Sequence, residues 1–165
     1  MAAEPSGLAM PRGAGAAAGQ TPLLSIENLD VYYGSAHALQ GVSLSLAGGV
    51  LAVVGRNGMG KTTLCNALTG LIPARGRIVF EGRDILGLPP HRITELGIAY
   101  VPQDTTPAFP FTAYQVTLMG RHPHLGRFAV EGAADHRAAA EAMAATGTTH
   151  LAGRSMTTLS GGERQ

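Results

Sequence analysis

Residues 55–62 read Gly-Arg-Asn-Gly-Met-Gly-Lys-Thr, which fits the pattern G-x-x-x-x-G-K-[ST]. Glycines in such a loop allow positive φ and let the backbone approach a ligand with no Cβ in the way. The N–H groups of the loop and the start of a following helix together favour an anion. Lys61 would then contact the β- and γ-phosphates of a nucleotide, and the Thr62 hydroxyl would bind Mg²⁺. We call residues 55–62 the phosphate loop.

The sequence on each side of the phosphate loop fits this interpretation. Residues 50–54 form a short apolar run rich in β-branched side chains, which is typical of a buried parallel strand. Residues 62–71 predict a helix, because leucines recur at helical spacing and Gly70 lies near its end. The alternative is a chance match in a chain with 23 glycines, but composition alone does not supply a flanking strand and helix.

The rest of the chain divides into a strand-rich first half and a helical second half. A break in the alternation at Glu27-Asn28 predicts a β-bulge within the first strand. The second half contains no strand pattern, so it is predicted to be a helical insertion on an α/β domain. Strands are predicted at 23–33, 42–46, 78–80 and 98–101, and further helices at 112–119 and 133–145.

Composition excludes several classes of protein. A net charge of +1 without a basic stripe argues against nucleic-acid binding. No apolar run approaches the roughly 20 residues needed to span a membrane. The one cysteine, Cys65, fits a reducing compartment and is expected to be a small core residue. Residues 1–22 are rich in Ala, Gly and Pro, which predicts a disordered tail without the pattern of a signal peptide; Met10 is an alternative start.

A second motif narrows the class. Residues 159–165 read LSGGERQ, downstream of the phosphate loop and with Gln103 between the two. Together these features resemble the ATP-binding subunits of ABC transporters, over residues 23–165. The resemblance implies an α/β P-loop ATPase fold: a β subdomain and phosphate-loop core at 23–103, and a helical subdomain at 104–165. We call residues 159–163 the signature segment; the fifth position, Glu163, is Gln in many members.

The resemblance also implies roles for individual residues. In the family, the phosphate loop of one subunit and the signature segment of a second subunit enclose one ATP. Tyr33 matches the aromatic that stacks on adenine, with Tyr32 as the alternative. Gln103 matches the glutamine that joins Mg²⁺ and the attacking water to the membrane partner. The implied nucleotide-binding residues are Tyr33, Gly55, Arg56, Asn57, Gly58, Met59, Gly60, Lys61, Thr62, Thr63, Ser160, Gly161, Gly162 and Glu163.

The histidines are the other candidates for chemistry, above all the pair in His122-Pro123-His124. A metal site there is not expected, because the sequence offers no nearby Cys or acidic ligand. The metal ligands implied by the resemblance are instead Thr62 and Gln103, both for the Mg²⁺ of ATP.

Two parts of the chain resemble importers of different cargo. Residues 28–46, 55–63 and 77–102 are similar to the branched-chain amino acid branch. Residues 108–128 and 145–165 are similar to importers of ferric siderophore, haem or vitamin B12. The change falls between Gln103 and Phe109, so the chain is either a natural mosaic or a joined or incomplete gene product. Partner choice should follow residues 103–165, since these would receive the permease.

The resemblance implies further parts that follow the signature segment in the family: an apolar strand ending in Asp-Glu and a later histidine. Residues 1–165 contain none of them. We therefore expect this chain to bind nucleotide but not to hydrolyse it, because phosphoryl transfer depends on such positioning groups.

The implied partners are a transmembrane permease, a second ATP-binding subunit and, indirectly, a solute-binding protein, with no nucleic acid. The implied location is cytoplasmic, on the inner face of the membrane. The alternatives are a fragment that only binds nucleotide and a soluble ABC ATPase without a transporter.

Overall fold

The computed structural model describes residues 21–103, 109–126 and 129–164. Two compact units are present, one ending at Ile93 and the other beginning at Thr94, whereas the resemblance places a subdomain boundary at residue 103. The disorder predicted for residues 1–22 falls almost entirely outside the described residues.

The first unit is built on a four-stranded antiparallel sheet in the order β2-β1-β3-β4. Each pair of neighbours runs antiparallel, and β1 lies between its two long partners. The predicted strands at 23–33, 42–46 and 78–80 are thus confirmed, in longer form for the last two. The strands are β1 (Leu24–Tyr33), β2 (Ala36–Leu46), β3 (Arg75–Phe80) and β4 (Arg83–Asp84).

A β-bulge in β1 keeps its apolar side chains on one face. The pairing of β1 with β2 shifts between Ile26 and Leu29, and Asn28 adopts a φ of 47°. Ile26, Leu29 and Val31 are all at most 1% exposed, which the extra residue makes possible despite their uneven spacing. The bulge predicted at Glu27-Asn28 is therefore confirmed.

Two predicted strands are wrong. Residues 50–54 and 98–101 have no strand assignment, and no described residue pairs with them in a ladder. Val50 is 96% exposed, Val54 82% and Val101 64%. The apolar residues are present in both segments, but a strand also needs a hydrogen-bonded neighbour. In a parallel sheet that neighbour comes from a distant part of the chain.

Helix α1 (Lys61–Leu68) follows the phosphate loop, as predicted, but ends earlier than the predicted Leu71. Gly70 has a φ of +70°, and Leu71 N donates to Asn66 O at 2.9 Å, which closes the helix end. Helix α2 (Pro90–Glu95) was not predicted, although Pro at a first helical position is a known start signal.

The second unit is helical. Helices α3 (Ala113–Met119) and α4 (Ala133–Ala145) confirm the predictions at 112–119 and 133–145, and α5 (Gly161–Arg164) begins in the signature segment. A single β-bridge joins Thr112 to Ser155. Short 3₁₀ turns occur at His122–His124, Thr149–Leu151 and Met156–Thr158. The apolar core consists of Ala113, Met143, Leu151, Met156 and Leu159.

Candidate nucleotide site

The phosphate loop turns sharply at its glycines. Gly58 and Gly60 both have a φ of +83°, a conformation that side chains with a Cβ rarely adopt. Met59 N donates to Arg56 O at 3.3 Å, so the loop closes a turn before α1 begins. The first N–H groups of α1 have no acceptor within the helix and point toward the loop end. This arrangement is a suitable anion site.

A close approach to β2 also favours glycine at position 60. A Cβ on Gly60 would lie 2.7 Å from Leu39 Cδ2 and 3.2 Å from Ala38 O, both on β2. Leu39 is only 5% exposed, so it has little room to move. The close approach therefore fixes the start of α1 against the sheet.

Lys61 folds back over the phosphate loop. Its Nζ donates to Gly55 O at 2.7 Å and to Arg56 O at 2.8 Å. An ammonium group has three donors, so a further acceptor can be added or can replace a carbonyl. The positive charge thus lies at the loop, where a phosphate would have to bind.

Tyr32 and Tyr33 are adjacent at the end of β1, where the register of β1 with β2 shifts between Val31 and Tyr32. Tyr32 pairs with His37 and Tyr33 with Ala36, and the two tyrosines are 45% and 50% exposed. Both tyrosines thus lie in the same unit as the phosphate loop, at an exposed end of the sheet.

Tyr32 belongs to a cluster of polar and aromatic side chains. Its ring stacks on His37 at a centroid distance of 4.1 Å, and the guanidinium carbon of Arg75 lies 5.9 Å from its centroid. His37 Nε2 donates to Asp30 Oδ1 at 2.6 Å, and Gly41 N donates to the same oxygen at 3.0 Å. The hydrogen bond from Gly41, followed by that from His37, holds the pKa of Asp30 below its ordinary 3.8. A cavity of about 430 Å³ adjoins this cluster.

The signature segment is stabilised by hydrogen bonds between its own residues. Leu159 is buried in the core of the second unit, whereas Ser160 is exposed. Ser160 N donates to Glu163 Oε2 at 2.8 Å, and Glu163 N donates to Ser160 Oγ at 3.4 Å. These reciprocal bonds form a capping box. The backbone N–H of Ser160, and then its side chain, hold the pKa of Glu163 below its ordinary 4.5.

Arg154 braces this capping box from outside. Its Nη1 donates to Glu163 Oε1 at 3.3 Å and its Nη2 to Thr158 O at 3.2 Å. Sequence reasoning missed Arg154, because no spacing rule relates it to the signature segment. The capping box itself had a signal in the sequence: Ser160-x-x-Glu163 fits the S-x-x-E pattern.

The remaining candidates fall in several places. Thr62 is exposed in the first turn of α1, and Thr63 beside it is half-buried. Gln103 is exposed in a bend after Pro102, in the second unit. The phosphate loop and Tyr33 thus share one unit, whereas Gln103 and the signature segment share the other.

The histidine pair takes part in local contacts. His122 Nε2 lies 3.4 Å from Glu131 Oε1, at the 3₁₀ turn His122–His124. An acidic side chain therefore does lie beside the histidine pair, and the expectation that none is nearby is wrong. Over the described ranges, no group of three or more His, Cys, Asp or Glu side chains is placed to hold a metal ion. Cys65 is a half-buried free thiol. No helix within the part of the chain that the structure describes is long and apolar enough to cross a membrane.

Comparison with known proteins agrees with these motifs. The family model described as ABC transporter matches residues 39–165. The Hemin import ATP-binding protein HmuV of Myxococcus xanthus is 45% identical over 145 residues, covering 86% of this chain and 53% of that protein. The Cobalamin import ATP-binding protein BtuD of Halobacterium salinarum is 42% identical over 144 residues, covering 86% of this chain and 35% of that protein.

Solved structures give the same result. An ATP-binding cassette of an ABC transporter, MJ1267 in its ADP conformation, superposes with a TM-score of 0.71 at 29% identity, covering 87% of this chain and 61% of that one. A transporter described as an ABC transporter of metal-chelate type, in an inward-facing conformation, gives a TM-score of 0.67 at 33% identity, covering 87% and 52%.

Two further facts follow from the comparisons. The chain spans about half the length, or less, of these curated relatives. The relatives also do not support the branched-chain amino acid resemblance of residues 28–46, 55–63 and 77–102. The matched proteins are named as import proteins for hemin and cobalamin, and their alignments extend over 86% of the chain. The metal-chelate resemblance is the one that agrees with them.

Proposed function

The chain belongs to the ABC transporter family, and from this premise we propose that it is part of the ATP-binding subunit of an importer for a metal chelate such as haem or a cobalamin. One observation carries the nucleotide part of the proposal: the Lys61 ammonium is held at a loop whose glycines and helix start favour an anion. The cargo is proposed from the hemin and cobalamin import proteins that the chain resembles. The role of the whole subunit is to bind ATP and, with its remaining catalytic parts, to hydrolyse it.

The nucleotide would bind along one face of the first unit. Its phosphates would accept from the backbone of residues 55–63 and from Lys61, while the Thr62 hydroxyl is available to Mg²⁺. The adenine would stack on Tyr33, because the ring of Tyr32 is already stacked on His37 and lies beside Arg75. Mg²⁺ supplies charge neutralisation between the β- and γ-phosphates when bound.

The second half of the site would come from another subunit. The exposed Ser160, Gly161 and Gly162 would face the γ-phosphate held by the partner's phosphate loop, and Gln103 would connect that site to the permease. Two subunits would then close on two ATP molecules, and this closure would drive a membrane permease fed by a solute-binding protein. The subunit would accordingly lie on the cytoplasmic side of the membrane, in contact with the permease.

Nucleotide binding by the chain is the first test. Binding of a fluorescent ATP analogue should weaken at least about tenfold in Lys61→Ala, since a hydrogen bond to a charged group contributes about 1.5–3 kcal/mol. Arg137→Ala is a matched control that also removes a cation, at an exposed position on α4. Equal binding by the wild type and Lys61→Ala would contradict the assignment of the phosphate loop.

The cargo is tested separately with the full-length subunit. Reconstituted with its permease, it should couple ATP turnover to uptake of haem or cobalamin, and leucine should not stimulate turnover. Stimulation by leucine alone would reverse the proposed cargo while leaving the ATP site intact. No turnover with any cargo would instead favour a subunit that only binds nucleotide.

A further inference from the structure

The signature segment is largely exposed to solvent. Ser160, Gly161 and Gly162 are all exposed, and α5 has only four residues. A loop of this kind, with two adjacent glycines, has many accessible conformations. Something must reduce that freedom if the Ser160 and glycine N–H groups are to face a phosphate.

Arg154 has the geometry to do this. One arm of its guanidinium donates to the Glu163 carboxylate at 3.3 Å, and the other donates to Thr158 O at 3.2 Å. Thr158 and Glu163 lie on either side of Ser160, so Arg154 spans the segment. A planar guanidinium can hold two acceptors in fixed directions, which a lysine ammonium cannot do equally well.

Arg154 is itself fixed by the rest of the second unit. Ala113 N donates to Arg154 O at 3.0 Å, and Arg154 N donates to Leu151 O at 2.8 Å. The Thr112–Ser155 bridge and the bond from Met156 N to Phe111 O, at 2.8 Å, continue the same connection to the start of α3. The base of the Arg154 side chain is thus tied to the packed part of the unit.

Glu163 completes the connection to the backbone of the loop. Its other oxygen, Oε2, accepts from Ser160 N at 2.8 Å, so the orientation of Ser160 depends on where the carboxylate is held. The Coulomb attraction of Arg154 also helps to keep the pKa of Glu163 below its ordinary value, after the hydrogen bonds from Ser160. The carboxylate therefore remains an acceptor at neutral pH.

We propose that Arg154 is a positioning residue that holds the signature segment, through Glu163 and Thr158, in the conformation that meets the partner's nucleotide. The proposal rests on the proposed function. The side chains of Arg154 and Glu163 are 48% and 36% exposed, so their ion pair adds little to the free energy of unfolding. Its effect should appear instead in the affinity with which two ATP-bound subunits associate.

The test uses the full-length subunit with its permease. Arg154→Ala should raise the ATP concentration for half-maximal turnover about two- to fivefold, with little change in the maximal rate, in line with an exposed ion pair. Binding of ATP to the separated subunit should not change, because the phosphate loop is untouched. Arg154→Lys should restore part of the loss, and Arg137→Ala should behave as wild type.

A double variant tests whether the effect of Arg154 depends on Glu163. If Arg154 acts through Glu163, Arg154→Ala should add little in a Glu163→Ala background. An unchanged half-saturation in Arg154→Ala, or fully additive effects, would overturn the proposal. A fall in maximal rate and melting temperature alone would indicate a merely structural role.

One readout does not need ATP. The amide of Ser160 should exchange with solvent faster in Arg154→Ala than in the wild type, and Arg137→Ala should leave it unchanged. If the wild-type subunit neither dimerises nor hydrolyses ATP, the proposed function fails. The exchange rate of the Ser160 amide still decides whether Arg154 holds the signature segment. Unchanged exchange would refute the positioning role.

Discussion

The four-stranded sheet of the first unit and residues 50–54 contain the same kinds of apolar side chain, but the solvent exposure of these side chains differs greatly. Ile26, Leu29 and Val31 of β1 are at most 1% exposed, whereas Val50 and Val54 are 96% and 82% exposed. The sheet is closed by hairpin partners and by β3, all within the first unit. The apolar run before the phosphate loop has no such partner among the described residues.

This difference bears on how the candidate nucleotide site is supported. Among the described residues, no strand pairs with residues 50–54 on the N-terminal side of the phosphate loop. On its C-terminal side, Gly60 packs against Leu39 of β2 and α1 begins. Within the described part of the first unit, the antiparallel sheet therefore supports the loop directly.

The largest expected contrast is in amide exchange. Amides of Ile26 and Val31 should exchange at least about 10³-fold more slowly than those of Val53 and Val54, because a paired core strand opens only in near-global unfolding. Hydrogen exchange followed by NMR would measure this. Comparable protection in both segments would mean that residues 50–54 do have a ladder partner.

A pair of core substitutions tests the same contrast in stability. Ile26→Ala should lower the free energy of unfolding by about 2–5 kcal/mol, since it leaves a cavity opposite Ile78. Val54→Ala should change it by less than about 0.5 kcal/mol, as expected for an exposed side chain. Urea denaturation of the chain measures both, and similar losses would show that Val54 is buried in solution.

The two adjacent tyrosines at the end of β1 have different expected roles. Tyr33→Ala should weaken ATP binding by about 1–3 kcal/mol, the usual contribution of a base stacked on an aromatic ring. Tyr32→Ala should leave ATP binding close to wild type, because its ring is engaged by His37 and Arg75. Tripolyphosphate, which has no base, is the control ligand: its affinity should not respond to Tyr33→Ala. The reverse result would assign the adenine to Tyr32.

The smallest expected effect concerns the hydrogen bonds that the Asp30 carboxylate accepts from His37 and Gly41. The folded-state pKa of Asp30 is depressed, so its stabilising contribution is present above the ordinary value of 3.8 and is lost as the pH falls through the lower folded value. The amide resonance of Gly41 should therefore titrate with a midpoint below 3.8 in an NMR pH series. Asp30→Asn should abolish this titration, and a midpoint above 3.8 would contradict the hydrogen bonding.

Much of this could be predicted from sequence, for identifiable reasons. The bulge at Asn28, the helix Ala133–Ala145 and the phosphate loop depend on local patterns, and the structure has them. The strand at 50–54 could not be judged locally, because pairing depends on residues far away in the chain. The stacking of Tyr32 on His37, which favours Tyr33 as the adenine contact, depends on the pairing of β1 with β2, which no local signal gives. The brace from Arg154 depended on the path of the loop between Leu151 and Ser160.

The hydrogen bonds of Lys61 have a thermodynamic consequence. Because Nζ already donates to Gly55 O and Arg56 O, a phosphate bound there would either accept the third N–H or replace one of the two carbonyls. Where it replaces a carbonyl, the favourable enthalpy of the new contact would be offset by the bond that is given up, and that carbonyl would need another donor. Affinity for phosphate at this loop should therefore respond to any change that alters how Gly55 and Arg56 present their carbonyls.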